Sequence, residues 1–181
     1  MQRDINSSIF NQATVRRLII YGIMTLILGC AQCAFFPMLD FCPKTPDLIM
    51  GMLLTITLLD SEKSAAICSI AAGFFLDSIG SSGLALSPLI YLIFVLLISV
   101  FTKKMLRSFA SYLLLLLPML LYRAVATYLC IFITDRALPS LWVLGEILLP
   151  EAIATGLLCM PIYFIVKMFC GALSNHSRFT F

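Results

Sequence analysis

Long apolar runs dominate this chain and constrain its fold more than any motif in it. Residues 18–36, 84–101, 109–133 and 147–169 are almost uninterrupted apolar stretches. Each approaches or exceeds the roughly 20 residues that ~30 Å of hydrocarbon demands of a helix. Hydrophobic residues make up 61% of the 181 and charged residues 12%, where a typical soluble domain is about half apolar and about a quarter charged. A water-soluble fold of this size cannot hide so much apolar surface, so intrinsic disorder and a soluble enzyme are excluded. The net charge of +3, with no basic stripe to track a phosphate backbone, speaks against a nucleic-acid partner. The fold class is an all-α integral membrane protein with one transmembrane domain.

Two shorter segments complete the pattern. Residues 47–60 follow Pro46, which suits a first helical turn, and Asp47 stands at the positive end of that helix's dipole. Residues 64–77 follow a tight turn at Ser61-Glu62-Lys63. At 1.5 Å per residue this third segment falls short of a bilayer, so it is expected as a short helix buried in the bundle. The spans are therefore 18–36, 47–60, 64–77, 84–101, 109–133 and 147–169, inside a transmembrane domain of 18–170. A polar segment, 1–17, precedes that domain and a tail, 171–181, follows it. The first run lacks a small-x-small cleavage site and closes on Phe35-Phe36-Pro37, so it reads as a helix rather than a signal peptide. Pro118 is placed to kink the fifth span, and Trp142 reads as an aromatic anchor in an interfacial loop.

Charge asymmetry orients the six spans. With the N-terminus inside, Arg3, Arg16, Arg17, Lys63, Lys103, Lys104, Arg107, Lys167 and Arg178 lie on the cytoplasmic side, against only Lys44 and Arg136 outside. The positive-inside bias predicts an N-in/C-in, six-helix transmembrane bundle.

Arg123 belongs to neither loop set, because it lies inside the fifth span. A central arginine costs about 2.5–3.5 kcal/mol on insertion scales, so it needs a partner. Glu151, four residues into the sixth span, is the favoured carboxylate, and Asp77, at the outer end of the third, is the other. Such a pair reads as a staple that fixes helix register; a polar pocket or proton relay in the outer half is the functional alternative. In the third span Ser61, Ala65, Ser69, Gly73 and Asp77 recur every four residues. Ala65, Ser69 and Gly73 form a small-residue face suited to close helix packing, or alternatively the lining of a cavity with Asp77 at its mouth.

Catalytic signatures are sparse. His176 is the sole histidine and lies in the tail, and no nucleophile-elbow or metal-ligand spacing occurs. No catalytic, cofactor or metal site is assigned; an enzyme would have to assemble its site from Asp77, Glu151 and Arg123. The seven cysteines sit mostly in apolar runs. Cys30 and Cys33 form a C-x-x-C without a βαβ context, read as packing, with redox or zinc chemistry as the alternative.

The order of features resembles a family, the bacterial rod shape-determining protein MreD. The residues that carry the resemblance are Pro46-Asp47-Leu48, the acidic turn Asp60-Ser61-Glu62, and Gly73-Phe74-Phe75-Leu76-Asp77 followed by a Gly/Ser turn and Leu86-x-x-Leu89-x-Tyr91. Pro150 and Met160-Pro161-Ile162-Tyr163 add to it. Ser64 and Leu84-Ala85 stand where the family pattern has a glycine and a Leu-Gly. The resemblance implies a non-enzymatic, multi-pass component of the cell-elongation machinery in the bacterial inner membrane. Its implied partner is MreC, with MreB, RodA and a transpeptidase further along the peptidoglycan-synthesis complex. The family is also similar in architecture to the substrate-binding subunits of energy-coupling-factor vitamin transporters, which gives a second function class. A vitamin site needs several polar side chains converging on one pocket, and beyond Asp77, Arg123, Glu151, Trp142 and a few tyrosines the sequence offers little of that kind.

Overall fold

The computed structural model describes residues 2–39, 45–79, 86–103, 105, 108–135, 145 and 149–176. Among them all regular structure is helical, with six α-helices. The expected turn through Gly83, Leu84 and Ala85, the Trp142 loop with Arg136, and Lys44, Lys104, Arg107, Cys42 and Arg178 lie outside the described residues.

Helix α1 runs Gln2–Cys30, so the helix already includes most of the polar segment before the first apolar run. It loosens into a π turn, Ala31–Phe35, where the Phe36 N–H donates to the Ala31 carbonyl, and then tightens into a 3-10 turn, Phe36–Leu39. Pro37 has no N–H to continue the regular ladder, which accounts for the change of pitch at this point.

Helix α2 is Leu48–Leu59, with Asp47 as its N-cap: the carboxylate accepts the Met50 N–H at 3.1 Å. Helix α3, Glu62–Ile79, begins two residues before the expected start, because Ser61 caps it by accepting the Ser64 N–H. Helix α4, Ser87–Thr102, carries Pro88 in its first turn, the position a helix tolerates best. Helix α5, Phe109–Asp135, runs unbroken past Pro118, and α6, Leu149–His176, past Pro161 and into the expected tail.

Consecutive helices alternate in direction. At one end of the bundle Arg17 of α1 meets Asp60 at the end of α2, and Glu62 at the start of α3 meets Lys103 after α4. At the other end Gln32 beyond α1 reaches the start of α2, and Asp77 of α3 the start of α4. Tyr122 of α5 donates to the Ile90 carbonyl near the start of α4, and Tyr112 near the start of α5 donates to the Cys159 carbonyl of α6.

The interior helix is α2, which corrects the expectation that the third helix would be the buried one. Every residue from Leu48 to Leu58 is buried, and α2 packs against α1, α3, α4, α5 and α6. With 12 residues it is only about 18 Å long, too short to cross hydrocarbon alone, and it is apolar on all sides, as a wholly enclosed helix must be. Helix α3 buries only its small-residue face, including Ala65, Ser69 and Gly73, while Ile67, Ile70 and Phe74 on its far side are exposed. A Cβ on Gly73 would overlap the backbone of Pro88, so this glycine sets how closely α3 and α4 approach. Three segments, Val15–Met38, Phe109–Ile133 and Leu149–Phe169, are long and apolar enough to cross a membrane.

Candidate functional site

The most unusual chemistry lies at the N-terminal end of α2. Arg123 of α5 places Nη1 3.0 Å from Asp47 Oδ2 and Nε 3.0 Å from Glu151 Oε1. The side chains of Asp47, Glu151 and Arg123 are 0%, 2% and 20% exposed. The Tyr91 hydroxyl of α4 donates to Asp47, 3.0 Å from Oδ2 and 3.2 Å from Oδ1. Four of the six helices thus meet at one guanidinium and two carboxylates.

The α2 terminus is satisfied at the same place. Asp47 donates its own N–H to Thr155 Oγ1 of α6 at 3.2 Å, and the Leu48 N–H is taken by Gln32 Oε1 at 3.1 Å. With the Met50 N–H bound to the Asp47 carboxylate, two of the orphan donors of this buried helix start, Leu48 and Met50, acquire side-chain partners.

Electrostatically the node holds two carboxylates and one guanidinium. Both acids occupy the starts of helices: Asp47 caps α2, and Glu151 is in the first turn of α6. Each helix N-terminus acts as roughly half a positive charge, and the two together offset the extra carboxylate. The arrangement joins helices through charge-assisted hydrogen bonds. Glu151 Oε2 is the one buried carboxylate oxygen of the node without a hydrogen-bond partner among the described residues.

The Arg123–Glu151 pair expected from the sequence is present, whereas Asp77 is not brought to Arg123. Asp77 Oδ2 instead accepts the Ser87 N–H at 3.3 Å, tying the end of α3 to the start of α4, and its Oδ1 is buried without a partner among the described residues. Sequence reasoning missed Asp47 as a second partner for Arg123, along with Tyr91, Gln32 and Thr155. One signal was available: a helix too short to span must start below the surface, and its capping acid then sits at the depth of a mid-span arginine.

A second polar group lies at the opposite end of α2. Arg17 Nη1 is 2.8 Å from Asp60 Oδ1, and the Tyr21 hydroxyl donates to Asp60 Oδ2 at 3.1 Å. Of the cysteines, Cys68 and Cys159 are buried packing residues, and Cys159 Sγ fills the space a Cβ on Gly51 would need. Cys30 and Cys33 are free thiols, the first immediately before the π turn and the second in its middle. No group of three or more His, Cys, Asp or Glu side chains that could hold a metal occurs among the described residues.

Compared with family models, with curated proteins and with solved structures, the chain gives no match.

Proposed function

We propose that the protein is a non-enzymatic membrane scaffold of the bacterial cell-elongation complex, an MreD-like subunit of the inner membrane that binds MreC within the bilayer. In this reading all six helices cross the membrane with both chain ends in the cytoplasm, and MreB, RodA and a transpeptidase are reached through MreC.

One observation carries the reading: Asp47 and Tyr91, on both of which the family resemblance rests, are bonded to each other, and Gly73 and Asp77 of a third motif meet the chain within the Tyr91 stretch. Asp47 of the Pro46-Asp47-Leu48 entry binds Tyr91 of the Leu86-x-x-Leu89-x-Tyr91 stretch. Gly73 lies against Pro88, and Asp77 of the same motif accepts the Ser87 N–H. These contacts support the reading by joining the motifs into one packed α2–α3–α4 core. The charged node adds support, because Asp47 and Glu151 are buried and joined to Arg123 rather than turned toward an open pocket. A rigid bundle presenting apolar outer faces suits partners that are themselves membrane helices.

The test is purification from mild detergent together with depletion in a rod-shaped cell. MreC co-purifies at a fixed ratio, and depletion rounds the cells. A preparation that lacks MreC but carries a stoichiometric vitamin would overturn the scaffold reading in favour of a transporter substrate-binding subunit.

A further inference from the structure

At the end of the bundle opposite the Arg123 node, a polar crevice of about 480 Å³ opens between the α2–α3 turn and the end of α4. Asp60, Glu62, Lys63 and Lys103 contribute its charges, and Leu58 and Met105 contribute apolar wall. The four charges are not equivalent. Asp60 is engaged by Arg17 and Tyr21, with a side chain only 10% exposed. Glu62 and Lys103 pair at 3.2 Å, but their side chains are 43% and 63% exposed, and an ion pair so open to solvent is readily shared with a third charged group. Lys63 is exposed and has no carboxylate within ion-pair distance among the described residues. The crevice therefore presents one uncompensated ammonium group and a second that is loosely held.

Its position is as telling as its charge. The crevice lies where α2 ends at Leu59, α3 begins at Glu62 and α4 ends at Thr102. Apolar helix gives way to polar chain at that level, which is where the headgroups of a surrounding leaflet lie. A soluble anion would use the two ammonium groups and leave the half-buried Met105 wall unmatched. A phospholipid uses both, since its charged phosphate is joined directly to apolar chain.

We propose that this crevice seats the headgroup of an anionic phospholipid, with the phosphate between Lys63 and Lys103. The proposal does not depend on the elongation-complex reading, and each stands if the other fails.

The test reconstitutes the full chain in nanodiscs of phosphatidylcholine containing a minor fraction of phosphatidylglycerol, and counts retained lipids by native mass spectrometry. Phosphatidylglycerol is retained in preference to phosphatidylcholine. Lys63→Gln and Lys103→Gln each lower that retention about fivefold, the upper range for a single solvent-open ion pair with the phosphate. Lys63→Arg keeps retention, which separates loss of charge from loss of fold, and Lys167→Gln on α6 leaves it unchanged. The proposal is overturned if the two lipids are retained equally, or if Lys167→Gln lowers retention as much as Lys63→Gln. Displacement of the bound lipid by millimolar inorganic phosphate would also overturn it, in favour of a soluble phosphate ligand.

Discussion

Arg123 is the residue on which most of the interior chemistry turns. Truncating it removes one charge and strands two buried carboxylates, Asp47 and Glu151, which are 0% and 2% exposed. Breaking a buried ion pair from one side typically costs about 3–5 kcal/mol, so Arg123→Ala should lower the unfolding free energy of the detergent-solubilised protein by about that much. Removing Glu151 as well relieves part of the damage. The Arg123→Ala/Glu151→Ala double variant should therefore be more stable than the sum of the single losses implies, with a coupling of about 1–3 kcal/mol; strictly additive losses would count against the bridge. This pair was legible in the sequence because a mid-span arginine has few possible partners and Glu151 lies on the next antiparallel helix. Asp47 was not, because its N-capping role already explains it. A single carboxylate can cap a helix through one oxygen and hold a guanidinium through the other.

Among the helices, α2 and α3 divide two properties that the sequence suggests will coincide. Shortness and a small-residue stripe both point, on sequence grounds, to the interior helix. The interior position belongs to α2, which is shorter and apolar on every side, while the stripe on α3 lies on the one face that packs against α1, α2 and α4. A small face says how closely one neighbour approaches, and it is silent about the opposite face. Where two helices touch this tightly, added volume must disturb the backbone. Gly73→Ala places a Cβ against Pro88 backbone atoms that cannot rotate away, and should destabilise by about 1–3 kcal/mol. Gly51→Ala on α2 meets Cys159 Sγ of α6 instead. Its cost should largely vanish in the Gly51→Ala/Cys159→Ala double variant, since that collision is with a removable side-chain atom. Gly22, where an added Cβ would have nothing within 4 Å, is the control: Gly22→Ala should be neutral or slightly stabilising in the same unfolding assay.

For the molecule as a whole, the central question is how a 12-residue helix is accommodated in a membrane protein. Helix α2 does not need to match the bilayer, because the longer α1, α5 and α6 form much of its surroundings and its ends are finished by protein groups. Gln32, Asp47 and Thr155 complete its start, and Arg17 and Tyr21 hold the acid that closes its end. Those two ends also fix the sense of the bundle. Arg17, Lys63 and Lys103 gather at one end, around the α2–α3 turn and the close of α4, while the Arg123 node lies toward the other. Apolar run lengths made the helices legible in the sequence, but not the depth at which each begins, because depth depends on how neighbours enclose a segment. If basic residues orient the bundle, the Arg17 end faces the cytoplasm. Alternating helices then bring both chain ends to that side. Green fluorescent protein, which matures in the cytoplasm but not when exported unfolded to the far side, should fluoresce when fused to either end of the chain. Fluorescence from only one of the two fusions would require an odd number of crossings, and an odd number of the six helices would then not traverse the membrane.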